Sequence, residues 1–360
     1  MHNWHSGRPE PRPGKRDMQR GEVNRAVERR TVQKEIHGSY KAYDRPLVSR
    51  LRPVQTEEDV CQLFEEILGA MLAKQAVVHT VTAALTVPPA IEETQLRSLM
   101  RYIDTALALY DWKLADLQVR TDREIRVDEE RQADTEKEFR AAVFGLLAVS
   151  AAGTPLSVEE RQSADGQAEG EARVLLVGYP GAAGVKRLYQ GLCAQGLGEF
   201  HGSRVIGERL HEADTTAAGR SVVKLVQTAG RLRIKIAAWP LGEGGLFTAL
   251  YDLAHSQNRG MQIELPEVPV TAATVALCER EALDPYRLWS NGSYLLVTED
   301  VAAVIDRIGE QAADWPWPVT VIGRITAEGG LCLRRARSQS SIEKPAIDEL
   351  YRWEEEKRKR

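Results

Sequence analysis

Cysteine is scarce and scattered. The 360 residues hold four, Cys61, Cys193, Cys278 and Cys332, with no C-x-x-C pair. That excludes a zinc ribbon or a disulfide framework and points to a reduced, cytoplasmic setting, with no metal expected. Aromatic residues make up only 6%. No apolar run approaches the roughly 20 residues that a membrane-spanning helix needs, so no membrane partner is expected. Residues 1–14 are polar and proline-rich, without the apolar core of a secretory signal, and none is expected. An excess of one charge is also missing. There are 48 Lys+Arg against 52 Asp+Glu, a net charge of −4, which argues against nucleic acid as a partner of the whole chain.

What is present describes a folded protein. The chain is 43% hydrophobic and 28% charged. At roughly 100–200 residues per domain it divides into about two domains. Residues 1–52 carry 13 basic and six acidic side chains, and three prolines fall within the first 13 residues. Residues 1–17 are therefore expected to be a disordered basic arm, with a helix following to about Ile36. A shortened N-terminal domain is expected over 18–152, a linker without periodicity over 153–172, and a C-terminal domain over 173–336. Residues 337–360 are expected to form a C-terminal helix with a basic tail, its cations favoured by the helix dipole.

Periodicity supplies the elements. Thr56-Glu57-Glu58-Asp59 is a capping signal for a helix to about Ala73. A Val- and Thr-rich strand over 77–87 stops at Pro88-Pro89, and a helix spans 91–110. A strand is expected over 112–119, a polar connection over 121–138 and a buried strand over 139–149. In the second half, strands are expected over 173–177, 231–239, 262–265, 294–297, 319–325 and 331–334. The last two would join at the Glu328-Gly329-Gly330 turn. Helices are expected over 181–195, 204–212, 215–229, 245–256 and 271–283, and from Thr298 as cap to about Ala313. The fold class is α+β, mixed sheets with helices packed on one face.

Several stretches resemble a known family. Residues 241–251, L-G-E-G-G-L-F-T-A-L-Y, are similar to a D-V-T-E-G-G-L-x-x-A-L turn into a helix. Val268-Pro269-Val270 precedes a helix with Cys278-Glu279. Residues 284–297 resemble a P-x-x-L-x-S-x-G-x-L-L-x stretch, and Val321-Ile322-Gly323-Arg324-Ile325 fits an I-G-x-(I/V) strand. In this order and spacing they resemble the aminoimidazole ribonucleotide (AIR) synthase superfamily, which includes hydrogenase maturation factor E, selenophosphate synthetase and thiamine-monophosphate kinase. The resemblance covers about residues 173–335. It extends more weakly into the first half, through residues 29–36 and through 77–89 with the helix after it. It implies a two-domain architecture and a homodimer whose N-terminal sheets pair across the two-fold axis.

Family enzymes bind ATP and magnesium through G-D-D-A, N-D and G-G-(D/H)-T segments, because clustered carboxylates hold the metal that bridges the phosphates. Here the interval from Ile36 to Val77 has no G-D-D-A. The N-D step aligns near Gly69-Ala70, the G-G-(D/H)-T turn reads Ala115-Asp116-Leu117-Gln118, and the first aspartate of D-V-T-E-G-G falls at Pro240. The acceptor cysteine of the hydrogenase-maturation type has no counterpart at a C-terminus reading Lys-Arg-Lys-Arg.

The candidate ligand-binding residues are Glu243, Gly244, Gly245, Gly181, Gly184 and Asp116. Gly178 to Gly184 follows a strand and opens a helix, so its backbone N–H groups suit a phosphate, and its glycines equally suit a tight strand-to-helix turn. Glu243-Gly244-Gly245 reads as a ligand-facing loop or as a helix start with Glu243 favoured by the dipole. Glu208 and His211, with Glu212 and Asp214, give one E-x-x-H pair, more in keeping with a solvated helix than a metal site. His79 reads as packed in its strand, and neither His201 nor His255 has a triad signature. The expectation is a non-catalytic AIR-synthase-related protein, a scaffold or regulatory small-ligand binder, with no cofactor and with a protein partner. One alternative is an ATP-dependent synthase or hydrogenase-maturation-type enzyme with a rebuilt site, in which Asp116, Asp122 and Glu243 hold magnesium. Another is polyanion binding through the basic arm, which would weaken steeply with salt.

Overall fold

A computed structural model describes residues 46–122, 145–155, 172–197, 203–210, 218–311, 315–327, 330–335, 338–343 and 347–358. The expected basic arm and first helix, the polar connection from residue 123, linker residues 156–171, His201, His211, Glu212, Asp214 and the pair Glu328-Gly329 lie outside them.

The first half is a four-stranded sheet backed by two helices. Its elements are β1 (Leu47–Val54), α1 (Glu57–Ala73), β2 (Ala76–Val87), α2 (Glu93–Tyr110), β3 (Lys113–Thr121) and β4 (Gly145–Pro155). The strand order is β1-β4-β2-β3, antiparallel except for the parallel β2–β3 pair. Helix α1 starts where the sequence requires. The Asp59 amide donates to Thr56 Oγ1 at 3.2 Å and the Thr56 amide donates to Asp59 Oδ2 at 2.9 Å, satisfying two N–H groups that would otherwise lack partners. Its buried residues include Val60, Leu63, Phe64, Ile67, Leu68 and Met71, too wide a face for one sheet. It packs against β1, β2, β4 and α2 on one side and against the second half on the other.

The second half is built on a seven-stranded mixed sheet. Its elements are β5 (Arg173–Val177), α3 (Ala182–Ala194), α4 (Ser203–Arg209), α5 (Ala218–Arg231), β6 (Ile236–Pro240), α6 (Gly245–Gln257), β7 (Gly260–Glu264), α7 (Ala272–Glu281), β8 (Tyr294–Thr298), α8 (Val301–Glu310), β9 (Val319–Thr326), β10 (Leu331–Arg335), β11 (Ser338–Ser341) and α9 (Glu349–Arg358). The strand order is β11-β10-β7-β9-β5-β8-β6. The helix layer expected on one face is joined by burial of the other. Val174, Leu176, Leu295 and Val297 pack with Leu246 and Leu250 of α6. The alternate residues Leu175, Val177, Tyr294 and Leu296 share a core with α5, α8 and the helix α1 of the first half. The two halves thus meet through one continuous apolar core, and Gly69 lets α1 approach β6: a Cβ there would lie 2.7 Å from Pro240 Cβ.

Several boundaries differ from the periodicity reading. The strand expected over 231–239 starts only at Ile236. Its first residues close α5, where the Ile234 amide donates to Ala229 O at 2.9 Å and Arg233 takes a left-handed φ of 59°. Thr298 ends β8 rather than capping α8. Its hydroxyl donates to Lys235 O at 2.8 Å, while Asp300 caps the helix through the Ala303 amide at 2.9 Å. Strands β9 and β10 are not a hairpin, because β7 lies between them, antiparallel to β9 and parallel to β10. Strand β4 runs to Pro155, two residues past Gly153, where the linker was expected to begin. The short strand β11 has no apolar alternation to announce it; Ser338, Gln339, Ser340 and Ser341 are all exposed.

Candidate functional site

The turn from β6 into α6 places residues 242–245. Gly244 and Gly245 both have positive φ, 74° and 63°, and a Cβ on Gly245 would lie 2.6 Å from Leu288 O and 2.7 Å from Tyr286 O. Only glycine permits both the backbone angle and this close approach. The turn is bound to the 284–293 loop by the Ser290 amide donating to Gly242 O at 3.1 Å and the Leu241 amide donating to Ser293 O at 2.8 Å. Asp348, 4% exposed, completes it from just before α9. It accepts from the Gly244 amide at 2.5 Å, the Trp289 amide at 3.2 Å and the Leu350 amide at 2.8 Å. Burial pushes the Asp348 carboxyl up to about 6, against the pull of those three N–H groups.

With its backbone fixed, Glu243 turns its side chain toward the first half. Arg52 Nη2 of β1 donates to Glu243 Oε1 at 2.9 Å and to Glu66 Oε1 of α1 at 2.8 Å, and Arg52 Nε donates to Glu66 Oε2 at 3.2 Å. Tyr351 of α9 donates to Glu243 Oε1 at 2.8 Å and accepts from Arg52 Nη1 at 3.2 Å. Burial disfavours the Arg52 charge, but Glu66 and Tyr351 outweigh it and its pKa is raised. Burial pushes the Glu66 carboxyl up, and the guanidinium pulls it part of the way back. Arg52, Glu66 and Glu243 line a cleft of about 580 Å³ between the halves, together with Arg50, Lys74, Trp239, Pro240 and Asp252.

Behind Glu66 the preceding residue of α1 points the other way. Glu65 is buried and accepts from Tyr294 Oη at 2.5 Å, Tyr110 Oη at 2.7 Å and the Gly219 amide at 2.9 Å. Burial raises its pKa, and the three donors oppose that rise. The carboxyl ties α1 to α2, α5 and β8.

Glu243, Gly244 and Gly245 thus stand at one edge of the cleft. Gly181 and Gly184 stand at a neighbouring turn held by the same loop. The Gly181 amide donates to Ser290 Oγ at 2.7 Å and the Gly184 amide donates to Trp289 O at 2.9 Å. A Cβ at Gly181 or Gly184 would lie 2.9 Å from a loop carbonyl, so both glycines pack closely against the loop. Asp116 does not join the site. It is exposed on β3, at the sheet edge opposite β1, and accepts from Gln118 Nε2 at 3.1 Å. Asp122 follows the end of β3, where its amide donates to Val87 O at 3.0 Å. His79, expected to be packed, is exposed because β2 turns it outward. His255 is exposed and stacks on Tyr251 with ring centroids 4.0 Å apart. Glu208 pairs with Arg204 along α4. Arg50, Arg52, Glu66, Asp348 and Tyr351 were missed. The one signal for Glu65 and Glu66 was two adjacent carboxylates within the otherwise apolar face of α1.

The model of the family described as "AIR synthase related protein, C-terminal domain" matches residues 211–334. This segment is an AIR synthase-related C-terminal domain. A carbamoyl dehydratase, HypE, of Rhodobacter capsulatus is 30% identical over 117 residues, 32% of this chain and 34% of that protein. The chain therefore matches about a third of the length of this curated relative. The fold likeness runs further. The crystal structure of E. coli HypE, described as a hydrogenase maturation protein, superposes with a TM-score of 0.64 at 13% identity, covering 87% of this chain and 89% of that one. A HypE from a HypE–HypF complex superposes with a TM-score of 0.59 at 13% identity, covering 83% and 90%. The likeness of fold to these structures thus takes in the first half as well.

Proposed function

We propose that this chain is a small-ligand-binding member of the AIR synthase superfamily that works in the cytoplasm without ATP and magnesium. The observation that carries this reading is the placement of Arg52. One guanidinium nitrogen lies within 2.9 Å of an oxygen of both Glu66 and Glu243, so the two cleft carboxylates already share an internal cation. Arg50 stands beside them, and Pro240 occupies the position of the motif's first aspartate. A magnesium ion held for a triphosphate needs carboxylates free to face it. This donor set does not fit one. Asp116 and Asp122, the other carboxylates of the rebuilt-site alternative, stand away from the cleft on β3 and just beyond it.

The protein is further proposed to be a homodimer with a separate protein partner. Among the described residues β1 and β3 are the edges of their sheet, with Leu51 37% and Val119 45% exposed, and HypE is seen with HypF. Among the described residues no helix is long and apolar enough to cross a membrane. Sedimentation velocity at two concentrations reads the dimer.

An ATP-dependent enzyme is the second reading, favoured by the retention of both halves of the HypE fold. Isothermal calorimetry with Mg-ATP separates the two. A flat trace is expected, and saturable magnesium-dependent heat in the micromolar range would overturn the first reading in favour of the second. Polyanion binding through residues 1–52 would appear as a salt-sensitive gel shift lost on deleting them.

A further inference from the structure

The cleft holds two arginines from one strand, and they are placed differently. Arg52 makes four hydrogen bonds, to Glu66, Glu243 and Tyr351. Arg50, two residues earlier on the same face of β1, has no such partners. Its Nη1 donates to Ser49 O at 3.0 Å, and among the described residues no carboxylate lies within ion-pairing distance of it. It is half-buried, and burial disfavours its charge, which Glu66 and Glu243 support only from farther off. A half-buried guanidinium with unused donors is an incomplete arrangement. It presents a planar fork, which matches the oxygens of a phosphate or carboxylate.

The surroundings define what such an anion would be attached to. The cleft volume of about 580 Å³ falls within the range of small-molecule sites. Its wall along β6 and the following turn is Trp239, Pro240 and Leu241, and across from them stand Leu47, Val48 and Ala70. An anionic head at Arg50 would leave an apolar body against this wall.

We infer that the interdomain cleft is a metal-independent site for a small organic anion, a phosphate or carboxylate engaged by Arg50, with Arg52 as the fixed counter-ion of Glu66 and Glu243. This rests on the metal-free reading above and adds to it the ligand class and the residue that engages it. The site predicts that added divalent cation weakens binding of a chelating anion by competing for it in solution.

The test uses the full chain and two probes, inorganic pyrophosphate for the phosphate class and citrate for the carboxylate class. Each is titrated by calorimetry in EDTA and again in excess magnesium chloride. Saturable binding of at least one probe in EDTA is expected, weaker in magnesium, and the probe that binds names the class. Arg50→Gln should weaken that binding at least tenfold, and Arg50→Lys, which keeps the charge without the fork, should fall between. Far-UV dichroism of both variants checks that they fold, and the lysine variant keeps the comparison available if the glutamine variant does not. Binding of neither probe under either condition, or equal affinity in all three proteins, would overturn the anion site while leaving the metal-free reading intact. Binding that appears only with magnesium would overturn both.

Discussion

Arg52 and Glu66 meet at two points, Nε to Oε2 at 3.2 Å and Nη2 to Oε1 at 2.8 Å, and the same Nη2 continues to Glu243. The pair is largely out of water, with side-chain exposures of 22% and 12%. Removing one member of such a pair leaves the other charge uncompensated, which costs more than the pair itself contributes. Arg52→Ala should therefore destabilise the protein by about 3 kcal/mol by urea unfolding, the lower end of the range for buried pairs because the cleft is open to solvent. The loss should depend on pH. Burial already raises the Glu66 pKa, and without the guanidinium it rises further, so the penalty is largest above that pKa and shrinks as pH falls and the carboxyl takes up a proton. The gap between variant and wild type should be wider at pH 8 than at pH 5. The variant also frees two carboxylates whose oxygens lay within 2.9 Å of one nitrogen. Manganese should then raise its melting temperature and leave that of the wild type unchanged.

Glu65 gives a second prediction, at the seam rather than in the cleft. Three donors from three other elements converge on it. Glu65→Ala removes all three acceptor contacts in a buried site and should cost about 3 kcal/mol or more. Glu65→Gln keeps an oxygen for the Gly219 amide and Tyr294, and should cost nearer 1 kcal/mol. Because burial raises the Glu65 pKa, the folded state binds its proton more tightly than the unfolded chain. Its contribution is full at low pH and is lost as pH rises through the raised value. The glutamine variant should have a flatter stability profile across that rise, measured by denaturant midpoints from pH 4 to pH 8.

Much of this architecture was legible in the chain because it rests on local signals. The capping box at Thr56 and Asp59, the Val- and Thr-rich β2 and the G-G turn before α6 each follow from a few neighbouring residues. The site was not local. Arg52, Glu66 and Tyr351 come from three elements and Glu243 from a turn, with the first and the last 299 residues apart, and no spacing rule joins them. Aligning the N-D step near Gly69 pointed to a position whose role is close packing on Pro240. The acidic pair sits one turn earlier, at Glu65 and Glu66. Asp116 stands where the G-G-(D/H)-T turn aligns, but residues 115–118 lie within β3, the far edge of its sheet.

The turn itself offers a contrast between neighbouring glycines. A Cβ at Gly242 would meet nothing within 4 Å, whereas one at Gly245 would strike two carbonyls at a backbone angle that side chains rarely adopt. Gly245→Ala should lower stability by about 3 kcal/mol, combining strain with displacement of the 284–293 loop. Gly242→Ala should stay within about 0.5 kcal/mol of wild type. Equal effects, read from melting curves under one condition, would mean that the turn does not lock onto the loop as described.

Asp348 sets the last expectation, because it joins α9 to the same turn. Its carboxyl rises from 3.8 in an ordinary setting to about 6 in the fold. Between those values the folded state holds a proton that the unfolded chain has released, so stability must fall as pH rises through that window. Two pH units correspond to a loss of up to about 3 kcal/mol, and 4% exposure leaves little solvent screening to reduce it. Asp348→Asn cannot ionise and should lose this slope, although it turns an amide NH₂ toward backbone N–H groups where an oxygen accepted before. The variant should therefore be less stable than wild type at pH 4, with the difference narrowing by pH 7. Hydrogen exchange should place that destabilisation in α9 and the 242–245 turn, since those are the segments the carboxyl holds together. A slope as steep as that of wild type after the substitution would assign the pH dependence to Glu65 and Glu66 instead.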